Sequence, residues 1–148
     1  MNTKRQAEAD QALILIAPGF DEGAIVVCVR QLRQYGMAIK LVGTSAHYVT
    51  GQSGLMVHPD CSLSQIELEI FYLLIIPGGD TCTIQLLSDP RTYRIVQSVI
   101  DSGNRVAVMS SLAAPILTSV GILTTAVSSQ FLTQGSQKTA DFIQQLLS

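Results

Sequence analysis

Ser111 is the residue of this chain best placed to attack a carbonyl. It follows the apolar run Val106–Met109 in the order Ser110-Ser111-Leu112-Ala113-Ala114-Pro115, and a helical segment then runs to Val120 and stops at Gly121. A strand entering a helix through small residues has the form of a nucleophile elbow, which presents one side chain at the carboxyl edge of a sheet. A serine hydroxyl there needs an adjacent general base. The esterase form G-x-S-x-G is absent, since Met109 and Ala113 stand at its glycine positions. The same residues also have a plainer use: Ser110 or Ser111 can cap the helix by accepting a backbone N–H.

Two other turns carry residues of the right type. In Pro18-Gly19-Phe20-Asp21-Glu22, Asp21 and Glu22 stand at a helix start, where carboxylates answer the helix dipole. They serve as caps, or as an acid or base aimed into a site. In Pro77-Gly78-Gly79-Asp80-Thr81-Cys82, paired glycines let backbone N–H groups approach a ligand closely. Such a turn binds an anion or supplies half of an oxyanion hole, with Gly79 and Leu112 as donors, or it is only a tight turn. Cys82 is the one thiol near these turns, either reactive or a small buried residue. Cys28 falls on a core-facing helix position. His58 ends a strand and reads as structural or interfacial, and His47 as a surface residue. The three cysteines, Cys28, Cys61 and Cys82, are widely spaced and form no C-x-x-C pair. No metal site, disulfide scaffold or cofactor is expected.

The elements that must position these residues are legible as apolar runs. Ala12–Ala17, Ala38–Val42, Tyr72–Ile76 and Val106–Met109 are nearly continuous, as strands are when helices cover both faces of a parallel sheet. Between them lie helical stripes: Ile25, Val29, Leu32 and Gly36; then Tyr93, Val96 and Ile100, opened by Asp89-Pro90 and closed by Ser102-Gly103-Asn104. A last helix starts at about Gln137 and carries Phe142, Ile143, Leu146 and Leu147. The stretch Tyr48-Val49, Gly51–Gly54, Leu55–Val57 predicts a small β-hairpin. The alternation predicts an α/β fold with a doubly wound parallel sheet flanked by helices, flavodoxin-like, with ligands at the carboxyl ends of the strands.

The chain has 148 residues, 47% hydrophobic and 14% charged, with a net charge of −2. That suffices for one core, expected over residues 11–148, behind a flexible N-terminus at 1–10. So few charges predict that some surface is covered by a second copy, as a homodimer. Without a basic face, nucleic-acid binding is not expected. The apolar runs are too short for a signal peptide or a membrane span, so the expected location is cytoplasmic.

Taken in order, "ILIAPGFDEGAIVVCVRQLRQYGMAIKLVG", "GLMVHPDCSL", "LLIIPGGDTC", "DPRTYRIVQSVIDSGNRVAVMSSLAAPILTSVGIL" and "FLTQGSQKTADFIQQLL" resemble the PfpI/ThiJ family of the class I glutamine-amidotransferase-like superfamily, from about Ala12 to Leu147. The resemblance implies a reactive cysteine at the elbow, and the family's spacing back from Gly121 lands on Ser111. It implies a first-loop glutamate bonded to that thiol, and the register of Gly19 and Gly36 puts Ala24 there, with Asp21 and Glu22 offset. It implies a histidine just beyond the elbow in many members, whereas no histidine follows residue 58 here. It also implies extra strands after Gly121, where this chain is short. A serine cannot be oxidised as a cysteine can, so redox sensing at this position is excluded.

Three readings follow. The first is a pseudo-enzyme, non-catalytic or weakly active, that binds a small molecule or a protein. The second is a working hydrolase or lyase (amidase, peptidase or glyoxalase-like) with Ser111 as nucleophile, Glu22 or Asp21 as base, and Gly79 and Leu112 as oxyanion donors. The third is a structural or regulatory subunit; without a fused DNA-binding segment, direct transcriptional control is not expected.

Overall fold

Six strands of one sheet lie in the order β5-β2-β1-β6-β7-β8, and every neighbouring pair is parallel. The computed structural model describes residues 11–66 and 71–147. The flexible segment expected at 1–10 lies outside the described residues. The elements run β1 (Gln11–Ile16), α1 (Glu22–Tyr35), β2 (Ala38–Gly43), β3 (Val49–Thr50), β4 (Met56–Val57), β5 (Cys61–Ser62), β6 (Leu73–Ile76), α2 (Asp80–Leu86), α3 (Pro90–Asp101), β7 (Arg105–Val108), α4 (Ala113–Ser119), a 3-10 turn (Thr125–Gln130), β8 (Phe131–Thr133) and α5 (Thr139–Leu147).

The helices begin and end where local chemistry dictates. Asp21 caps α1, its carboxylate accepting the Ala24 N–H, and Gly36 ends the helix in the left-handed region at φ 100°. Asp89 caps α3 and Pro90 takes the first helical position, where a missing N–H costs nothing. The central strands are buried on both faces: Leu13 to Ile16 and Leu73 to Ile76 expose no surface. This is what the continuous apolar runs require, since a parallel sheet is covered on both sides. Helix α3 packs on β6 and β7, while α1 packs on β2 and α5.

The α/β class, the four central strands and the hairpin agree with the sequence-based expectation. β3 and β4 pair antiparallel, Val49 opposite Val57 and Thr50 opposite Met56. The differences fall at the margins. β5 and β8 were not expected as strands; they are two and three residues long, too short for an apolar run to announce them. On α1 the fully buried stripe passes through Cys28, with Val29 only half-buried. The last helix begins at Thr139, two residues later than its apolar pattern suggested.

Because β1, β6, β7 and β8 are adjacent and parallel, the loops that follow them emerge side by side at one edge of the sheet. These loops carry residues 17–21, 77–79, 109–112 and 134–138.

Candidate active-site cleft

The first and second loops are locked together by glycine. The Asp21 N–H donates to the Gly78 carbonyl at 3.1 Å. Gly79 has φ 98°, and a Cβ there would stand 2.3 Å from the Gly19 carbonyl oxygen. No side chain fits at 79, so these backbones meet only because the residue is glycine.

The third loop is the turn from β7 into α4. Ser110 is buried there; its Oγ accepts the Leu112 N–H at 3.2 Å and donates to Asp80 Oδ1 at 3.4 Å. Of the two candidate caps, Ser110 is the one whose hydroxyl receives a backbone N–H. Ser111 follows it, outside both strand and helix, with its surface exposed. Among the described residues no non-glycine has positive φ. Ser111 therefore does not take the left-handed backbone conformation in which strain at such a turn is stored.

A cleft of about 330 Å³ opens between these loops. Asp21, Asp80, Ser110, Ser111, Gln134 and Thr139 supply its polar walls, and Ala24, Gly78, Gly79, Met109 and Gly135 complete it. Ser111, Asp21, Gly78 and Gly79 are thus brought together as their positions in the sequence suggested. Met109 also packs inward, its Sδ 3.9 Å from Cys28 Sγ.

Other candidates lie elsewhere or are already engaged. Leu112 is not part of the cleft wall, and its N–H is taken by Ser110 Oγ, so it is not available as an oxyanion donor. Glu22 turns to the hairpin, where its Oε2 accepts the N–H groups of Ser53 at 2.8 Å and Leu55 at 3.1 Å. Gly51 sits against it so closely that a Cβ would meet Glu22 Cδ at 2.3 Å. Burial pushes the Glu22 carboxyl up, but backbone N–H donors from Glu22, Leu55 and Ser53 and the Ser53 side chain together hold it below its usual value. An ionised carboxylate committed to a loop is a structural tie, and a poor base for a serine hydroxyl. Cys82 is fully buried, and desolvation raises its thiol to about 11, so it stays protonated and unreactive at neutral pH. Cys28 is likewise buried and raised to about 12, first by burial and then by the Asp21 charge. His47 and His58 are both exposed; His58 stacks edge-on against Tyr48 with ring centroids 5.2 Å apart.

Asp80, Gln134 and Thr139 join the cleft beyond the residues expected from the sequence. Asp80 directly follows the Gly-Gly turn and is recoverable from the rule that loops at carboxyl strand ends build the site. Gln134 and Thr139 follow β8, which gave no readable signal. Among the described residues, no group of three or more His, Cys, Asp or Glu is arranged to hold a metal ion. No described helix is long and apolar enough to cross a membrane.

A parallel sheet in this order, with a loop-built cleft beside a strand-to-helix turn, defines a flavodoxin-like α/β protein. The DJ-1/PfpI family model matches residues 10–139, and the chain belongs to that family. It is similar to deglycase TK1284 of Thermococcus kodakarensis, 25% identical over 113 residues that make up 76% of this chain and 67% of the relative. It is similar to the glutathione-independent glyoxalase DJR-1.2 of Caenorhabditis elegans, 26% identical over 141 residues, 91% of this chain and 75% of the relative. It also matches an uncharacterised protein of Archaeoglobus fulgidus, 27% identical over 97 residues, and that match spans 66% of this chain and only 57% of the relative. Among solved structures, oxidised DJ-1 of Toxoplasma gondii has a TM-score of 0.80 at 17% identity, covering 93% of this chain and 88% of the other. At that identity the likeness speaks for the fold.

Proposed function

We propose that this chain is a non-catalytic or weakly active DJ-1/PfpI protein that binds a small molecule in the cleft, with Ser111 standing where relatives carry a reactive cysteine. One observation carries the reading: the cleft holds hydroxyls but no strong base. No histidine lines it, Ala24 in the first turn of α1 brings no polar group to it, and Glu22 is committed to the hairpin. The carboxylates that line it are poor bases for a hydroxyl, which then remains a hydrogen-bonding group. Ser111 also lacks the positive φ that would mark a strained turn, which supports a binding role.

Two relatives are named deglycase and glyoxalase, so methylglyoxal and methylglyoxal-treated amines are the substrates to try. Purified protein is expected to turn them over no faster than its Ser111→Ala variant. Turnover that Ser111→Ala abolishes would overturn the reading.

The second reading is a hydrolase or lyase with Ser111 as nucleophile. Asp21 favours it, because this carboxylate lines the same cleft and stands as the base still available. This reading predicts covalent labelling of Ser111 by a fluorophosphonate probe, and an unlabelled Ser111 at millimolar probe counts against it.

We also infer a homodimer. Val26 lies one turn along α1 from Glu22, which holds the hairpin, and Val26, Tyr48, Leu55 and Met56 are all exposed apolar side chains. A second copy meeting this patch would cover it.

A further inference from the structure

The cleft continues into a second lobe of about 250 Å³, and the two share Met109, Ser110, Ser111, Gln134 and Gly135. The first lobe adds Asp21, Asp80 and Thr139. The second adds Val108, Ala114 and Thr133, so with Met109 its walls are largely apolar. Ser111 stands at the seam.

The charged side chains of the first lobe are all of one sign. Gln134 spends its Nε2 on Gln137 O at 2.9 Å and on Thr139 Oγ1 at 3.2 Å. Leu112 spends its N–H on Ser110 Oγ, and Ser110 donates to Asp80. Asp21 Oδ1 accepts the Ala24 N–H and Asp80 Oδ1 the Ser110 hydroxyl, which leaves the second oxygen of each carboxylate for a ligand, beside the Ser111 hydroxyl. No Lys, Arg or His lines either lobe. Among the described residues the one ion pair is Arg91 with Asp89, away from the cleft. Helix N-termini contribute partial positive charge here, about half an elementary charge each. The starts of α1 and α2 already carry Asp21 and Asp80, while the start of α4, beside Ser111, carries no acid. An entering anion would meet two carboxylates with no cationic side chain beside them.

Resting on the reading of this cleft as a binding site, the geometry points to a ligand class: a small amphipathic amine. Its ammonium lies between Asp21 and Asp80, its apolar substituent fills the Val108, Met109 and Ala114 lobe, and the Ser111 hydroxyl meets the bond between them. Neutral or anionic ligands of the same shape bind less well, because an anion is repelled and neither supplies a charge to pair.

Benzylamine, benzyl alcohol and phenylacetate have nearly the same shape and differ in charge. Each is titrated into the protein while the amide signals of Ser111, Gln134 and Gly135 are followed by NMR. Benzylamine is expected to shift these signals in the millimolar range, phenylacetate to leave them in place, and benzyl alcohol to fall between. Asp21→Asn with Asp80→Asn is expected to weaken benzylamine by about fivefold or more, since two partly exposed charge pairs are lost. Asn preserves the cap at 21, and unchanged signals elsewhere verify the fold. Ala114→Leu is expected to block benzylamine by filling the apolar lobe. Phenylacetate binding as tightly as benzylamine, benzylamine unaffected by the double Asn variant, or no benzylamine binding at all would each overturn the assignment. Ser111-dependent turnover of methylglyoxal would instead overturn the non-catalytic reading and leave the charge preference intact.

Discussion

Asp21 and Glu22 are neighbours of the same chemical type at the same helix start, and they do different work. Asp21 caps α1 and lines the cleft, whereas Glu22 holds the hairpin loop through Ser53 and Leu55. The sequence places both acids at the helix terminus but cannot orient them, because the partner of Glu22 lies some thirty residues on. Glu22 is held below its ordinary 4.5, since N–H donors outweigh the upward push of burial. A group with a lowered native pKa contributes stability above its unfolded value, and that contribution is lost as pH falls through the native one. Asp89, lowered chiefly by its bonds with Arg91, acts in the same direction. Glu22→Gln is therefore expected to flatten part of the acid side of the stability curve below pH 4.5, as read by denaturant melts across pH. Glu22→Ala is expected to speed amide hydrogen exchange at Ser53 and Leu55 while Ser111 is unaffected. An unchanged exchange rate at both amides would show that the hairpin does not depend on this carboxylate.

At the scale of elements, the contact between the first and second loops sets the cleft. Gly79 and Gly36 both have φ near 100°, yet their surroundings differ: a Cβ at 36 meets nothing, and one at 79 meets the Gly19 carbonyl. Gly36→Ala is expected to cost about 1–2 kcal/mol, the conformational penalty alone. Gly79→Ala pays the same penalty plus a backbone displacement, so it is expected to lower the melting temperature further and to disturb the signals of Asp21 and Ser111. Equal melting temperatures for the two variants would mean the loops part without cost. The Gly-Gly pair was visible in the sequence, but its partner was not, since a carbonyl oxygen leaves no trace in residue type. The same limit hid β5 and β8. Their pairing depends on the register of β2 and β7, and two or three residues carry no periodicity of their own.

The whole molecule was the most legible level. Apolar runs of strand length, separated by capped amphipathic helices, leave few ways to cover a parallel sheet on both faces. Its surface is a separate matter, and the exposed apolar side chains Val26, Tyr48, Leu55 and Met56 are the ground for the proposed dimer. Sedimentation at micromolar concentration is expected to show a dimer, and Met56→Glu to shift it toward monomer without loss of the hairpin pairing of Thr50 with Met56. A monomer in the unaltered protein would remove the inference. The sheet also ends narrowly: its outer strands span two residues on one side and three on the other. Such stubs give a neighbouring chain almost no ladder to extend. The strongly apolar inner strands, the segments most able to seed fibres, are exposed to other molecules only when the protein unfolds, so fibre formation through them is tied to unfolding.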